Sequence, residues 1–231
     1  MLAMVPFNSQ AHDSYFVVAH LHYVLVGGFV FPMLAALYYW LPHFTGRASI
    51  YRLSVPAFWL IIIGFNLSFF LMHLTGLMGM PRRISSYPSN WGWDWLNLLS
   101  SFGGFIMTMG FALVLADIIM QFRFGLPAPR NPWGARTLEW AMPTPPPAYN
   151  FAALPAITKR ADDLDPDRLG ATLAGGDGYL GFPRANRQET LGVDMMTGAP
   201  DQVIILPRPS FMPLWTALAT GVFFLGLLFK L

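Results

Sequence analysis

His20 and His22 stand two residues apart inside an apolar run that begins after the polar step His12-Asp13-Ser14 and continues through Trp40. The run exceeds the roughly 20 residues that a helix needs to cross a bilayer. An ionisable group inside such a segment is costly enough to be a functional hypothesis by default. Successive helical side chains are set about 100° apart, so positions i and i+2 point about 200° apart. The two imidazoles therefore cannot share one metal ion, but each can serve a separate ion on opposite faces. Imidazole is an axial ligand of haem iron, and a haem against each face would account for both side chains. For a single intramembrane histidine the competing reading is a helix–helix hydrogen bond. In either case the second ring nitrogen needs a partner that fixes the tautomer.

Three further groups of residues carry chemistry. His12 and Asp13, at the mouth of the same run, suit a hard divalent cation such as magnesium or a hydrogen bond to a carboxylate-bearing ligand. The plain alternative is a helix cap from Asp13 with His12 in water. Arg82 and Arg83 follow Gly79-Met80-Pro81, where Pro81 is expected to end a helix. Arginine is preferred for forked pairing with carboxylates, so haem propionates are natural partners, and lipid phosphate is the alternative. Asn66, His73 and Asp117 are expected to hydrogen-bond within a bundle. Trp91, Trp93 and Trp95 read as an interfacial belt, and the scattered methionines as packing.

The elements that must hold these residues are helices in lipid. Of the 231 residues 55% are hydrophobic and only 11% charged, against about 25% charged in soluble domains. The net charge of +2, without a basic-aromatic tract, excludes nucleic acid as a partner. There is no cysteine, so disulfides and thiolate sites are excluded. Four apolar segments, 14–41, 55–77, 96–122 and 214–231, are predicted to be helical because backbone amides in lipid must be satisfied within the segment. Gly27-Gly28 and Gly103-Gly104 would permit close helix contacts. Residues 123–212 are polar: Pro-rich at Pro145-Pro146-Pro147, acidic over 162–167, then Gly-rich. That composition is expected to lie on the membrane surface or stay partly disordered. The fold class is thus an all-α polytopic membrane bundle with a long surface loop before its last helix. The start has no basic region of the kind that opens a signal peptide. Arg123, Arg130 and Arg136 break a tie between the earlier connections and put the stretch after the third helix in the cytoplasm, with Arg82 and Arg83 outside.

At this point the motifs resemble a known family. His12-Asp13-Ser14-Tyr15-Phe16-Val17-Val18-Ala19-His20-Leu21-His22-Tyr23 resembles the tenth-helix signature of haem-copper oxidase subunit I in its cytochrome c oxidase form. Gly79-Met80-Pro81-Arg82-Arg83-Ile84 with Ser86-Tyr87-Pro88 resembles the loop after the eleventh helix. Asn131-Pro132-Trp133-Gly134-Ala135, Thr137-Leu138-Glu139-Trp140 and the three prolines resemble the segment after the twelfth. Ser86 and Ser89 stand where family members often carry acids beside the Tyr-Pro step.

The resemblance implies that His20 is the axial ligand of a high-spin haem where oxygen is reduced, and His22 a ligand of the low-spin haem that feeds it. It implies haems of the a type, His12 and Asp13 in a magnesium and propionate region, and Arg82 and Arg83 on the propionates. It implies copper in the complete enzyme, with the copper ligands expected upstream of Met1. The implied partners are the upstream part of subunit I, subunits II and III, cytochrome c as donor, oxygen and membrane lipid, in the inner (plasma) membrane of a bacterium. The implied organisation is 1–140 as C-terminal helices of subunit I, 141–212 as a polar surface segment and 213–231 as an additional helix. On this reading the chain is part of a proton-pumping cytochrome c oxidase and not active by itself. The alternatives are a non-enzymatic haem-binding electron-transfer anchor, a quinol-oxidising relative, and a transporter with a histidine proton relay.

Overall fold

The computed structural model describes residues 2–147, 149, 153–154, 160, 165–174, 185 and 187–229. Half of the acidic run, 162–164, and most of the glycine-rich stretch after it lie outside these. The chain divides into two units, Met1–Ala128 and Pro129–Leu231. It is mostly helical, and among the described residues four helices are long and apolar enough to cross a membrane: Tyr15–Thr45, Ser54–Leu77, Asp94–Phe124 and Met212–Phe229. We call these the first to fourth spans; each lies close to its predicted segment.

The first unit opens with a short helix, α1 (Val5–Ala11), and then contains the first three spans. The first span is not uniform. It is α-helical over Tyr15–His22, widens to π pitch over Tyr23–Val30, and returns to α pitch over Phe31–Thr45. The π segment, Tyr-Val-Leu-Val-Gly-Gly-Phe-Val, includes three valines and two glycines, which are poor α-formers. The second span has its own π segment, Asn66–Phe70. There the Asn66 side chain donates to Ile62 O at 2.8 Å, the kind of local polar contact that satisfies backbone where a membrane helix changes pitch.

The second and third spans pack most closely, through small residues. A Cβ on Gly103 would lie 2.8 Å from Gly64 O, and one on Gly64 would lie 2.7 Å from Gly103 O. Only glycine fits such a crossing. Gly103 thus behaves as predicted, whereas Gly27, Gly28 and Gly104 face open space among the described residues. Below the crossing, Ala57, Ile61 and Val114 form a buried cluster against which Phe31, Leu34 and Tyr38 pack.

The second span ends before the predicted Pro81. Its C-terminus turns at Gly79, which adopts φ +88°, and Met80 N–H donates back to Thr75 O at 3.0 Å. A glycine with left-handed backbone closes the helix, as is common, and Pro81 belongs to the loop beyond. On the other side of the unit, two short strands, β1 (Arg47–Ala48) and β2 (Leu126–Pro127), pair antiparallel. Gln121 fastens them by donating to Arg47 O at 2.6 Å. The buried Asp117 accepts from Ser49 at 2.9 Å.

The second unit holds a helix, Pro166–Ala174, a hairpin of β3 (Glu189–Val193) and β4 (Pro200–Ile205), and the fourth span. Ala141, Ala153 and Leu173 form its small core. The hairpin was not foreseen in the polar stretch. Its turn is organised by Asp194, which accepts from the backbone N–H and the hydroxyl of Thr197 and from Met196 N–H. These donors, Thr197 foremost, hold the Asp194 carboxyl below the usual carboxylate range.

Candidate functional site

Both histidines fall in the regular α-helical opening of the first span, ahead of the π segment. The angular separation expected for an i, i+2 pair therefore applies to them. Ser14 caps this helix: its hydroxyl accepts from Phe16 N–H at 3.2 Å and donates to Ala11 O at 2.6 Å. The cap is therefore Ser14, not Asp13, which leaves the Asp13 carboxylate for other partners.

His22 is held from two directions. Its Nδ1–H donates to Val18 O, one turn earlier, at 2.7 Å. This is the tautomer-fixing partner that a ligating imidazole needs, and it leaves Nε2 without a hydrogen bond among the described residues. The ring also stacks on Phe69 of the second span, with centroids 4.1 Å apart and planes within 12°. The adjacent Tyr23 donates its hydroxyl to Asn66 Oδ1 at 2.8 Å and packs its ring on Phe65 at 4.7 Å. His73 joins the same cluster, edge-on to Phe16 at 4.9 Å and to Tyr23 at 5.3 Å. His20, half-buried, makes no hydrogen bond among the described residues.

The loop after the second span folds back onto the start of the first. Tyr15 N–H donates to Met80 O and Arg82 N–H donates to Asp13 O, both at 2.9 Å. Asp13, with φ +59°, and Arg83, with φ +66°, take left-handed backbone at this junction. That conformation is uncommon outside glycine and is held here by the surrounding bonds. The fold-back brings three of the predicted residues together. Asp13 pairs with the Arg82 guanidinium through one oxygen and lies 3.3 Å from His12 Nε2 through the other. Arg83 is exposed and stands apart from this cluster.

Several polar atoms here have no hydrogen-bond partner among the described residues, His73 Nδ1 included, and two of them bear on an anionic, metal-bearing ligand. Arg82 Nε is buried yet without a hydrogen-bond partner among the described residues, although buried polar groups are almost always paired. It is a donor suited to a further anionic oxygen, beside the pair that Asp13 already makes. His22 Nε2 is the corresponding open acceptor. A metal macrocycle with carboxylate edges fits a chain offering both. No group of three or more His, Cys, Asp or Glu capable of enclosing an ion occurs among the described residues, so a cation at His12 and Asp13 would need donors from elsewhere.

Sequence reasoning missed Phe65 and Phe69. An aromatic residue in an apolar run carries no signal of its own, and only the helix crossing identifies these two. It also assigned Trp93 to an interfacial belt. Trp93 is instead buried, packed edge-on against Tyr87 and Trp91, while Trp91 and Trp95 are exposed.

Residues 1–106 match the family model described as Cytochrome C and Quinol oxidase polypeptide I. The chain is 47% identical over 158 residues to cytochrome c oxidase subunit 1 of Bacillus sp. (strain PS3), covering 68% of this chain and 26% of that protein. It is 36% identical over 232 residues to cytochrome c oxidase subunit 1 of Bacillus subtilis (strain 168), covering 100% of this chain and 34% of the relative. It is also 42% identical over 160 residues to quinol oxidase subunit 1 of the same organism, covering 68% and 25%. The chain thus spans a quarter to a third of the length of these relatives. Its motifs, its spans and these matches agree: the chain belongs to the haem-copper oxidase subunit I family of oxidoreductases.

Proposed function

We propose that this chain is the C-terminal part of the catalytic core subunit of a proton-pumping cytochrome c oxidase, with His22 ligating the low-spin haem and His20 the high-spin haem. The observation that carries this reading is the state of His22. Its Nδ1 proton is committed to Val18 O, so the Nε2 lone pair faces outward on a ring whose plane Phe69 restrains. When bound, the haems, of the a type, would supply electron storage and oxygen binding. The chain's own residues hold the ligands and meet the anionic edges. The unpaired Nε of Arg82 would receive a propionate oxygen, with Asp13 holding the guanidinium in place, and the exposed Arg83 would offer a second, separate cation. His12 and Asp13 contribute two donors to a magnesium site completed from outside the described residues. Copper would be bound by other parts of the enzyme. Partner subunits II and III and the rest of subunit I would complete the assembly in a bacterial plasma membrane, with 1–140 as the oxidase helices, 141–212 as the surface segment and 213–231 as the added helix.

The relatives include a quinol oxidase subunit 1, so quinol is the second candidate donor. Turnover of the assembled complex with reduced cytochrome c against a reduced quinol separates the two.

In the assembled complex, His22→Ala is expected to abolish the low-spin haem spectrum, read by optical difference spectroscopy together with haem content. Retention of that spectrum at full haem content would overturn the assignment.

A further inference from the structure

Three features of the second span converge at the level of His22. Phe69, itself buried, lies face to face with the imidazole, whereas the other aromatic contacts of this cluster are tilted or edge-on, at interplanar angles of 51° to 80°. Asn66 receives the hydroxyl of Tyr23, the residue next to His22. Both residues belong to the π segment Asn66–Phe70, and Tyr23 opens the π segment of the first span. Short π segments inside α-helices occur frequently at functional sites. Here the two widened segments are joined to each other one residue beyond the histidine.

A ring on a two-torsion stem has freedom that ligation alone does not remove. The bond from Nδ1 to Val18 O sets which nitrogen faces outward. It leaves the ring able to rock about that contact. A flat partner 4.1 Å away opposes such rocking, because tilting the imidazole would drive one edge into the Phe69 face. The Tyr23–Asn66 bond fixes the height of the first span against the second, so that the two rings stay level. Groups beyond the direct ligands that orient an imidazole in this way also tune the metal it holds.

We propose that Phe69 and the Tyr23–Asn66 pair are positioning residues for His22, fixing the plane in which its imidazole is presented. The inference rests on the ligand role of His22 proposed above. Ordinary packing would predict that Phe69 can be replaced by any apolar residue of similar volume, and that the Tyr23 hydroxyl matters only for stability. Positioning predicts a change at the metal.

The test uses the complete purified oxidase complex carrying Phe69→Leu or Tyr23→Phe. The readouts are the electron paramagnetic resonance g values of the oxidised low-spin haem, its midpoint potential by spectroelectrochemical titration, and haem content as the pyridine haemochrome. Both variants are expected to retain wild-type haem content and an unchanged high-spin signal, with shifted low-spin g values and a shifted potential. The double variant should shift by less than the sum of the two, since both act on one ring. Wild-type g values and potential in both variants at full haem content would overturn the proposal. If Phe69→Leu fails to assemble, Tyr23→Phe, which removes one hydroxyl, decides alone. Loss of the low-spin haem in His22→Ala combined with wild-type spectra in these two variants would reject positioning and keep the ligand. Persistence of that haem in His22→Ala would reject the ligand and the positioning with it.

Discussion

Asp13 contacts both His12 and Arg82, and its surroundings decide how much each contact is worth. Its side chain is 57% exposed and that of His12 65%, whereas Arg82 is only 27% exposed. Water screens the histidine contact, and exposed pairs contribute about 0–1 kcal/mol. Asp13→Asn is accordingly expected to lower stability by no more than about 1 kcal/mol, measured by thermal unfolding of the complex in detergent. A loss of several times that size would mean that the fold-back of the loop depends on the carboxylate and not on its backbone bonds. This cluster also marks a limit of the sequence. His12, Asp13 and Arg82 were each legible as polar residues at an apolar boundary. Their meeting was not, because it depends on main-chain bonds from Tyr15 and Arg82 across nearly seventy positions. The divergent facing of His20 and His22 was legible because spacing on one α-helix fixes direction. Phe69 was invisible because its role comes from a neighbouring helix.

Among the elements, spans are the most readable, since a bilayer demands a length and a composition that hydropathy reveals directly. Their contacts are less so. Of four glycines expected to bring helices together, only Gly103 does so within the described residues, while Gly64 and Gly110, not singled out in advance, lie equally close to a neighbour. Gly103→Ala must push the second and third spans apart or bend one of them, because the obstructing atoms are backbone. Overpacking of this kind costs about 1–3 kcal/mol. A lowered unfolding temperature is expected for Gly103→Ala and an unchanged one for Gly104→Ala, whose Cβ meets open space; equal behaviour of the two would contradict this crossing. The β3–β4 hairpin escaped prediction for a different reason. Its strands contain proline, glycine, glutamate and aspartate, which are depleted in strands, and its turn depends on Asp194 accepting three bonds at once.

At the scale of the molecule, the spans of the first unit keep much apolar surface exposed: Leu21, Val24, Leu25 and Phe29 are all more than half exposed. Lipid or the remainder of a larger subunit suits such faces equally well. Three of these four, Val24, Leu25 and Phe29, belong to the π segment Tyr23–Val30. Its hydrogen bonds reach one residue further than in an α-helix, so the first span carries slack in its own length. A residue removed there can be absorbed by a return to α pitch, with the histidines upstream and Tyr38 downstream both keeping their rotational phase. A residue removed from the α-helical stretch Phe31–Thr45 has no such reserve and must turn everything between the cut and one end by about 100°. Deletion of Gly28 is therefore expected to leave both haem signals in the purified complex, whereas deletion of Leu37 should impair assembly. Equal damage from the two would mean that the segment stores no slack. The part of the helix that departs from regularity is then the part that lets its chemical end tolerate change elsewhere along it.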